Sequence, residues 1–196
     1  NKHDAELREL LDQGAIREFL TKAVLYKKNI IVSGGTSTGK TTFLNAVLKK
    51  IPAGERVITC EDARELDIQH LPNRVHLLAS KGGQGRSHVT MQDLIEACLR
   101  LRPDRIMVGE IRGAEAFSYL RAINTGHPGS ITTVHADSPA LAFEQLMMMV
   151  MQAGLGITRE QIKQYVEAII DVVVQLKRGE KGKRYVSEVF FKEREI

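Results

Sequence analysis

The chain has no tryptophan, two cysteines and five prolines, and only 5% of its 196 residues are aromatic. Each scarcity excludes something. Without aromatic side chains set among basic ones there is no stacking platform for single-stranded nucleic acid. Cys60 and Cys98 stand alone in apolar runs with no C-x-x-C spacing, and are expected as reduced core thiols of a cytosolic protein. His3, His70, His76 and His88 show no ligand spacing, so no zinc site is expected. No apolar run approaches the ~18 residues of a membrane span, and no signal peptide opens the chain. Internal repeats are also missing. The chain starts at Asn1 rather than Met, as a piece cut from a longer protein would, which would hide a preceding domain.

What is there is charge, but dispersed. The net charge is +4, and the basic residues are scattered: Lys27, Lys28, Lys49, Lys50, Arg100, Arg102 and Arg105. Lys177, Arg178, Lys181, Lys183 and Arg184 form one denser cluster. A solvated surface accounts for this better than a nucleic-acid groove. The length predicts one domain over 1–196 that buries ~70% of its extended surface.

Apolar residues at helical spacing place two leading helices within 1–27, with Gly14 as the stop between them. Strands are expected at 29–33, 56–60, 75–79 (an edge), 105–108 and 130–134. Thr90 with Asp93, and Thr158 with Gln161, open helices as capping boxes, and Ser138-Pro139 opens another. Gly113 to Asn124 is expected to be helical. Gly82, Gly83 and Gly85 make 80–88 a mobile loop. Two alternating runs around Gly179 and Gly182 predict a C-terminal β-hairpin. Strands alternating with helices give an α/β fold, a mainly parallel sheet with helices on both faces.

One stretch organises the rest. Gly34-Gly35-Thr36-Ser37-Thr38-Gly39-Lys40-Thr41-Thr42 fits G-x-x-x-x-G-K-[ST], a phosphate loop between an apolar strand and an amphipathic helix. The glycines let backbone N–H groups turn inward on a phosphate, and the following helix adds its positive end. Lys40 would reach the β- and γ-phosphates, and the Thr41 hydroxyl would ligate Mg²⁺.

In an open α/β sheet the ligand lies beyond the carboxyl ends of the strands. The other predicted strands end at Glu61-Asp62, at Glu110 and at His135, so the same edge collects two carboxylates and an imidazole. Phosphoryl transfer to water needs charge neutralisation and a positioned nucleophile. Glu110 takes the position of the acidic metal-shell residue, and Glu61 is the candidate general base. Asp104, at the other end of its strand, is a poor candidate. His135 is placed to sense a γ-phosphate, while His127 precedes its strand and suits a turn. Met147, Met148, Met149 and Met151 suit core packing and a subunit contact.

The stretch Leu99 to Arg112, with Arg102-Pro103-Asp104 and Gly109-Glu110-Ile111-Arg112, resembles the Walker B region of the secretion, or traffic, ATPases of type II and type IV systems. Glu61 to Leu66 resembles their Asp box, and Thr125-Gly126-His127 through His135-Ala136 their His box. Arg112-Gly113-Ala114-Glu115-Ala116 and Gly126-His127-Pro128-Gly129-Ser130 are most similar to the conjugation and type IV branch, the VirB-eleven type. The resemblance runs from about Leu7 onward and covers only the C-terminal, RecA-like half of such a protein. It implies ATP and Mg²⁺ as cofactors and a homo-hexamer at the cytoplasmic face of the bacterial inner membrane. Its partners would be inner-membrane secretion components, with DNA or protein as indirect cargo. It also implies that a separate N-terminal domain supplies arginines to the phosphates. Arg64, Arg86 and Arg112 are the alternative sources of that charge within this chain, the sequence not choosing among them, and the chain alone is expected to turn over ATP poorly. Two other uses of the fold compete: an ATP-gated assembly switch with little hydrolysis, and a RecA-like DNA motor. A small-molecule kinase is a more distant reading.

Overall fold

The computed structural model describes residues 1–80 and 88–194. The glycine-rich loop expected over 80–88 therefore lies, except for its two ends, outside the described residues. Two helices lead, α1 (Lys2–Asp12) and α2 (Ile16–Leu25), with Gly14 between them at φ +73. Then follow β1 (Ile30–Gly34), α3 (Lys40–Leu48), β2 (Val57–Glu61), β3 (Arg74–Leu78), α4 (Met91–Leu101) and β4 (Arg105–Val108). The chain continues through α5 (Glu115–Asn124), β5 (Ile131–Val134), α6 (Pro139–Met151), α7 (Arg159–Ile169), β6 (Val172–Arg178) and β7 (Arg184–Phe191). Most expected boundaries hold to within a residue or two. The hairpin strands run longer than their apolar alternation, because cross-strand pairing continues from Leu176 to Arg178 beyond the core.

Among the described residues, seven strands form one sheet in the order β3-β2-β4-β5-β1-β6-β7. Every pairing is parallel except β6 with β7. Period-two alternation sends each strand's side chains to two cores. Ile31, Ile58, Cys60, Ile106, Val108 and Val173 meet α4 to α7 on one face. Ile30, Val32, Val57, Met107, Val172 and Val174 meet α1, α2 and α3 on the other. A strand buried on both faces must be apolar throughout, and β1, β2 and β4 are nearly so. The expected capping boxes form at Thr90–Asp93 and Thr158–Gln161.

Two expectations about single residues need correction. Arg105 does not belong to the solvated surface: it is fully buried, and its guanidinium grips Glu55 through Nε at 2.8 Å and Nη2 at 2.9 Å. Lys28 is also buried, paired with the buried Asp4. Cys60 and Cys98 are free, buried core thiols as expected, and the fold brings their Sγ atoms to 3.4 Å. Their shared hydrogen bond, with burial, pushes the Cys60 thiol far up.

Candidate nucleotide site

β1 is flanked by β5 and β6, and the loop that leaves its carboxyl end at Gly34 enters α3 at Lys40. The glycines are required by space as well as by dihedral angle. A Cβ on Gly34 would meet the Thr38 Oγ1 at 2.3 Å, and Gly39 adopts φ +81. Ser37 turns at φ +61, Thr38 Oγ1 donates to the Gly35 carbonyl at 2.8 Å, and Gly35 faces Asp137. Thr36 and Thr42 are exposed, and Thr41 is half-buried. The Lys40 ammonium folds back over the loop and donates to the carbonyls of Gly34 at 2.7 Å and Gly35 at 3.3 Å.

Around this ammonium the other strand ends assemble. Glu110 Oε1 lies 3.9 Å from Lys40 Nζ, and His135 Nδ1 lies 3.5 Å from it. Lys40, Thr41, Glu61, Asp62, Gly109, Glu110, Arg112 and Thr133 line one cleft of about 210 Å³. Burial pushes the Lys40 ammonium down; the Glu110 carboxylate opposes that fall and the Arg112 charge adds to it. His135 is exposed, but its segment is fixed from below. The next carbonyl, Ala136, accepts from Gln175 Nε2 at 2.9 Å and from Ser33 Oγ at 3.3 Å.

Glu61 is the most constrained member. It is 3% exposed, and its Oε1 accepts from the backbone N–H groups of Glu65 and Leu66, both at 2.9 Å. Its Oε2 is buried with no partner among the described residues. Gly109 passes so close that a Cβ there would lie 3.3 Å from Glu61 Cγ. Two threonines of β5 pull the end of β4 into place, Thr132 Oγ1 donating to Val108 O at 2.7 Å and Thr133 Oγ1 to Gly109 O at 2.6 Å.

Arg112 bridges Glu110 and Asp62, the latter at 3.0 Å. Its own N–H and that of Gly113 donate to Glu115 Oε1, which explains the Arg-Gly-Ala-Glu spacing. Arg64 is exposed on the β3 side, and Arg86 lies outside the described residues. Burial, helped by the charges of Arg64 and Arg74, pushes the His76 imidazolium down. His127 sits at the opposite rim, its Nδ1 3.0 Å from the Pro103 carbonyl, a turn contact far from Lys40 in the sheet. Asp104 is there too, accepting from the Arg56 N–H at 2.7 Å.

The family model for "Type II/IV secretion system protein" matches residues 7–192. The chain belongs to that family. It is 46% identical over 183 residues to the type IV secretion system protein VirB11 of Bartonella quintana, covering 91% of this chain and 51% of that one. To the type IV secretion system protein PtlH of Bordetella pertussis it is 39% identical, covering 92% of this chain and 55% of that protein. Among solved structures, the Brucella suis VirB11 ATPase in complex with sulphate superposes with TM-score 0.90 at 38% identity, over 98% of this chain and 58% of that chain. The chain thus spans about half the length of the curated relatives it matches. In this secretion-family chain the sheet brings together Lys40, Thr41, Glu61, Glu110 and His135, all five named from the sequence. Sequence reasoning missed Arg184, whose Nε donates to the Ser37 carbonyl at 3.2 Å from the far end of the chain. Nothing in the spacing of the basic cluster singled it out.

Proposed function

We propose that this chain is the ATP-hydrolysing half of a hexameric motor that powers type IV secretion, conjugal transfer or pilus assembly at the cytoplasmic face of the inner membrane. The observation that carries the reading is the convergence of four strand ends on one cleft around Lys40. Family membership and the likeness to the VirB11 ATPase of Brucella suis support it. The partners would be further copies of the chain and inner-membrane secretion components. Among the described residues no helix is long and apolar enough to cross a membrane.

Within the cleft Lys40 binds the β- and γ-phosphates, and the loop's N–H groups from Gly35 to Thr42 wrap the β-phosphate. A divalent cation fits the donor set, because Thr41 and Glu110 line the same cleft as the partnerless Glu61 Oε2. Thr41 and Glu110 would hold Mg²⁺, which screens phosphate charge when bound. Glu61, with one oxygen fixed by two N–H groups and the other without a partner among the described residues, orients the attacking water and takes its proton. His135, beside Lys40, donates to the γ-phosphate and so distinguishes ATP from ADP.

The test is nucleotide binding and phosphate release by point variants. Lys40→Ala should abolish ATP binding. Glu61→Gln should bind ATP as the parent does and release phosphate about 10²- to 10⁴-fold more slowly. Normal turnover by Glu61→Gln would remove the assigned base.

A further inference from the structure

We infer that Gln175 is a positioning residue for His135: by holding the Ala136 carbonyl, its side-chain amide sets where the imidazole stands over the phosphate loop. This rests on the reading of His135 as the group that meets the γ-phosphate, and adds what holds it there. His135 needs such a hold, because it is exposed and lies just past the end of β5. An exposed side chain on an unsupported segment changes rotamer freely, and a hydrogen bond to a phosphate weakens steeply as its geometry drifts.

Gln175 is out of keeping with its surroundings. On the sheet face covered by α4 to α7, Ile31 of β1 pairs with Val173 of β6. Two residues further along, the same face carries Ser33 paired with Gln175, 0% and 1% exposed. Both polar side chains aim at one atom. Gln175 Nε2 donates to the Ala136 carbonyl at 2.9 Å, and Ser33 Oγ donates to it at 3.3 Å. The amide reaches there across β1, since β5, β1 and β6 lie side by side in that order. It does so at a cost. Its Nε2 has only a longer second contact, to the Leu176 carbonyl at 3.4 Å, and its Oε1 is buried with no partner among the described residues. An unsatisfied buried acceptor is destabilising, and an apolar side chain like Val173 would avoid it. The carbonyl that the amide holds explains its presence better than packing does.

The held carbonyl lies between two groups that touch the loop. His135 Nδ1 is 3.5 Å from Lys40 Nζ, and Asp137 lies against Gly35, where a Cβ would come within 3.3 Å of its Oδ1. Ser138 then caps α6, its Oγ accepting from the Leu141 N–H at 3.1 Å. Residues 135–138 are thus a short strap over the loop, pinned at Ala136 from beneath. The backbone of Gln175 is itself fixed on both sides, paired with Ser33 in β1 and with Glu188 in β7. The register of β6 with β7 shifts between Gln175 and Leu176, which leaves Ser187 as the extra residue, its Oγ donating to the Gln175 carbonyl at 3.4 Å. Bulges recur beside functional sites, where they re-aim a side chain.

The experiment compares ATP with ADP by calorimetric titration of the 196-residue chain and its variants, with thermal unfolding followed by circular dichroism. Gln175→Met keeps the length of the side chain and removes its amide. Ser33→Ala removes the second donor to the same carbonyl, and His135→Ala removes the group being positioned. His135→Ala should lower ATP affinity about tenfold and Gln175→Met about five- to tenfold, the scale of one hydrogen bond, with ADP bound as by the parent. Ser33→Ala should act in the same direction and less. The double variant of Gln175→Met with His135→Ala should lose no more than His135→Ala alone, because the amide acts through the imidazole. An amide that only supports the fold would lower the unfolding midpoint and weaken both nucleotides equally. That result, an unchanged ATP-to-ADP ratio in Gln175→Met, or additive losses in the double variant would overturn the assignment. If Gln175→Met does not fold, the ratio measured on Ser33→Ala decides in the same way. A ratio unmoved by His135→Ala would instead remove the γ-phosphate role of His135, and this inference with it.

Discussion

Lys40 is held in a balance that the neighbouring charges set. Burial pushes its ammonium down, and the Glu110 carboxylate is the largest influence opposing that fall. Replacing Glu110 by Gln removes the opposing charge and leaves Arg112, whose effect has the same sign as burial. The Lys40 pKa must then fall further, so the lysine loses its charge at a lower pH. ATP affinity of Glu110→Gln should therefore decline at a lower pH on the alkaline side than that of the parent. Titrations across the alkaline range check this, and coincident limbs would show that Glu110 does not sustain the Lys40 charge. At the same scale, Arg112 is 66% exposed while the carboxylate it binds is 20% exposed. An ion pair so open to water contributes little to stability, and its arginine can leave Glu110 for a phosphate at small cost.

The elements carry the features that local sequence makes legible. A capping box needs two residues three apart, a phosphate loop needs nine consecutive ones, and a strand buried on two faces is a continuous apolar run. Each of these was readable because the physics is local. What was not readable joins residues far apart in the chain: Arg105 with Glu55, 50 positions away, and Arg184 with Ser37, 147 away. The thiols of Cys60 and Cys98 meet only because α4 packs on β2. A buried ion pair such as Lys28–Asp4 looks like surface charge until its partner is known. Burial alone raises the Asp4 carboxyl, but hydrogen bonds from Lys28 and the Arg194 N–H, with the Lys28 charge, overcome it and hold the pKa below its ordinary value. A depressed folded-state pKa adds stability above the unfolded-state value, and that stability is lost as pH falls through the folded-state value. Asp4→Asn should remove that part of the acid sensitivity, so its denaturation midpoint should fall less than the parent's below pH ~4. Parallel acid profiles would show that the α1 pair does not anchor the first helix.

At the scale of the whole molecule, the site is assembled on one rim of the sheet and stands open. His135, Arg112 and Arg184 are all exposed, and the chain spans about half of its curated relatives. A cleft open to water leaves the phosphates solvated and the developing charge without its full set of donors. Phosphate release by the 196-residue chain should therefore be slow, and should rise by orders of magnitude in a fusion that extends it to its relatives' full length. Robust turnover by the monomeric chain would show that the rim is already complete. The central claim is that Lys40, Glu61, Glu110 and His135 surround one triphosphate. Its most direct test is a crystal structure of the chain with Mg²⁺ and a non-hydrolysable ATP analogue. The predicted density places the γ-phosphate between Lys40 and His135, with a water held by Glu61 Oε2 on its open side. A γ-phosphate out of reach of Glu61 would contradict the account.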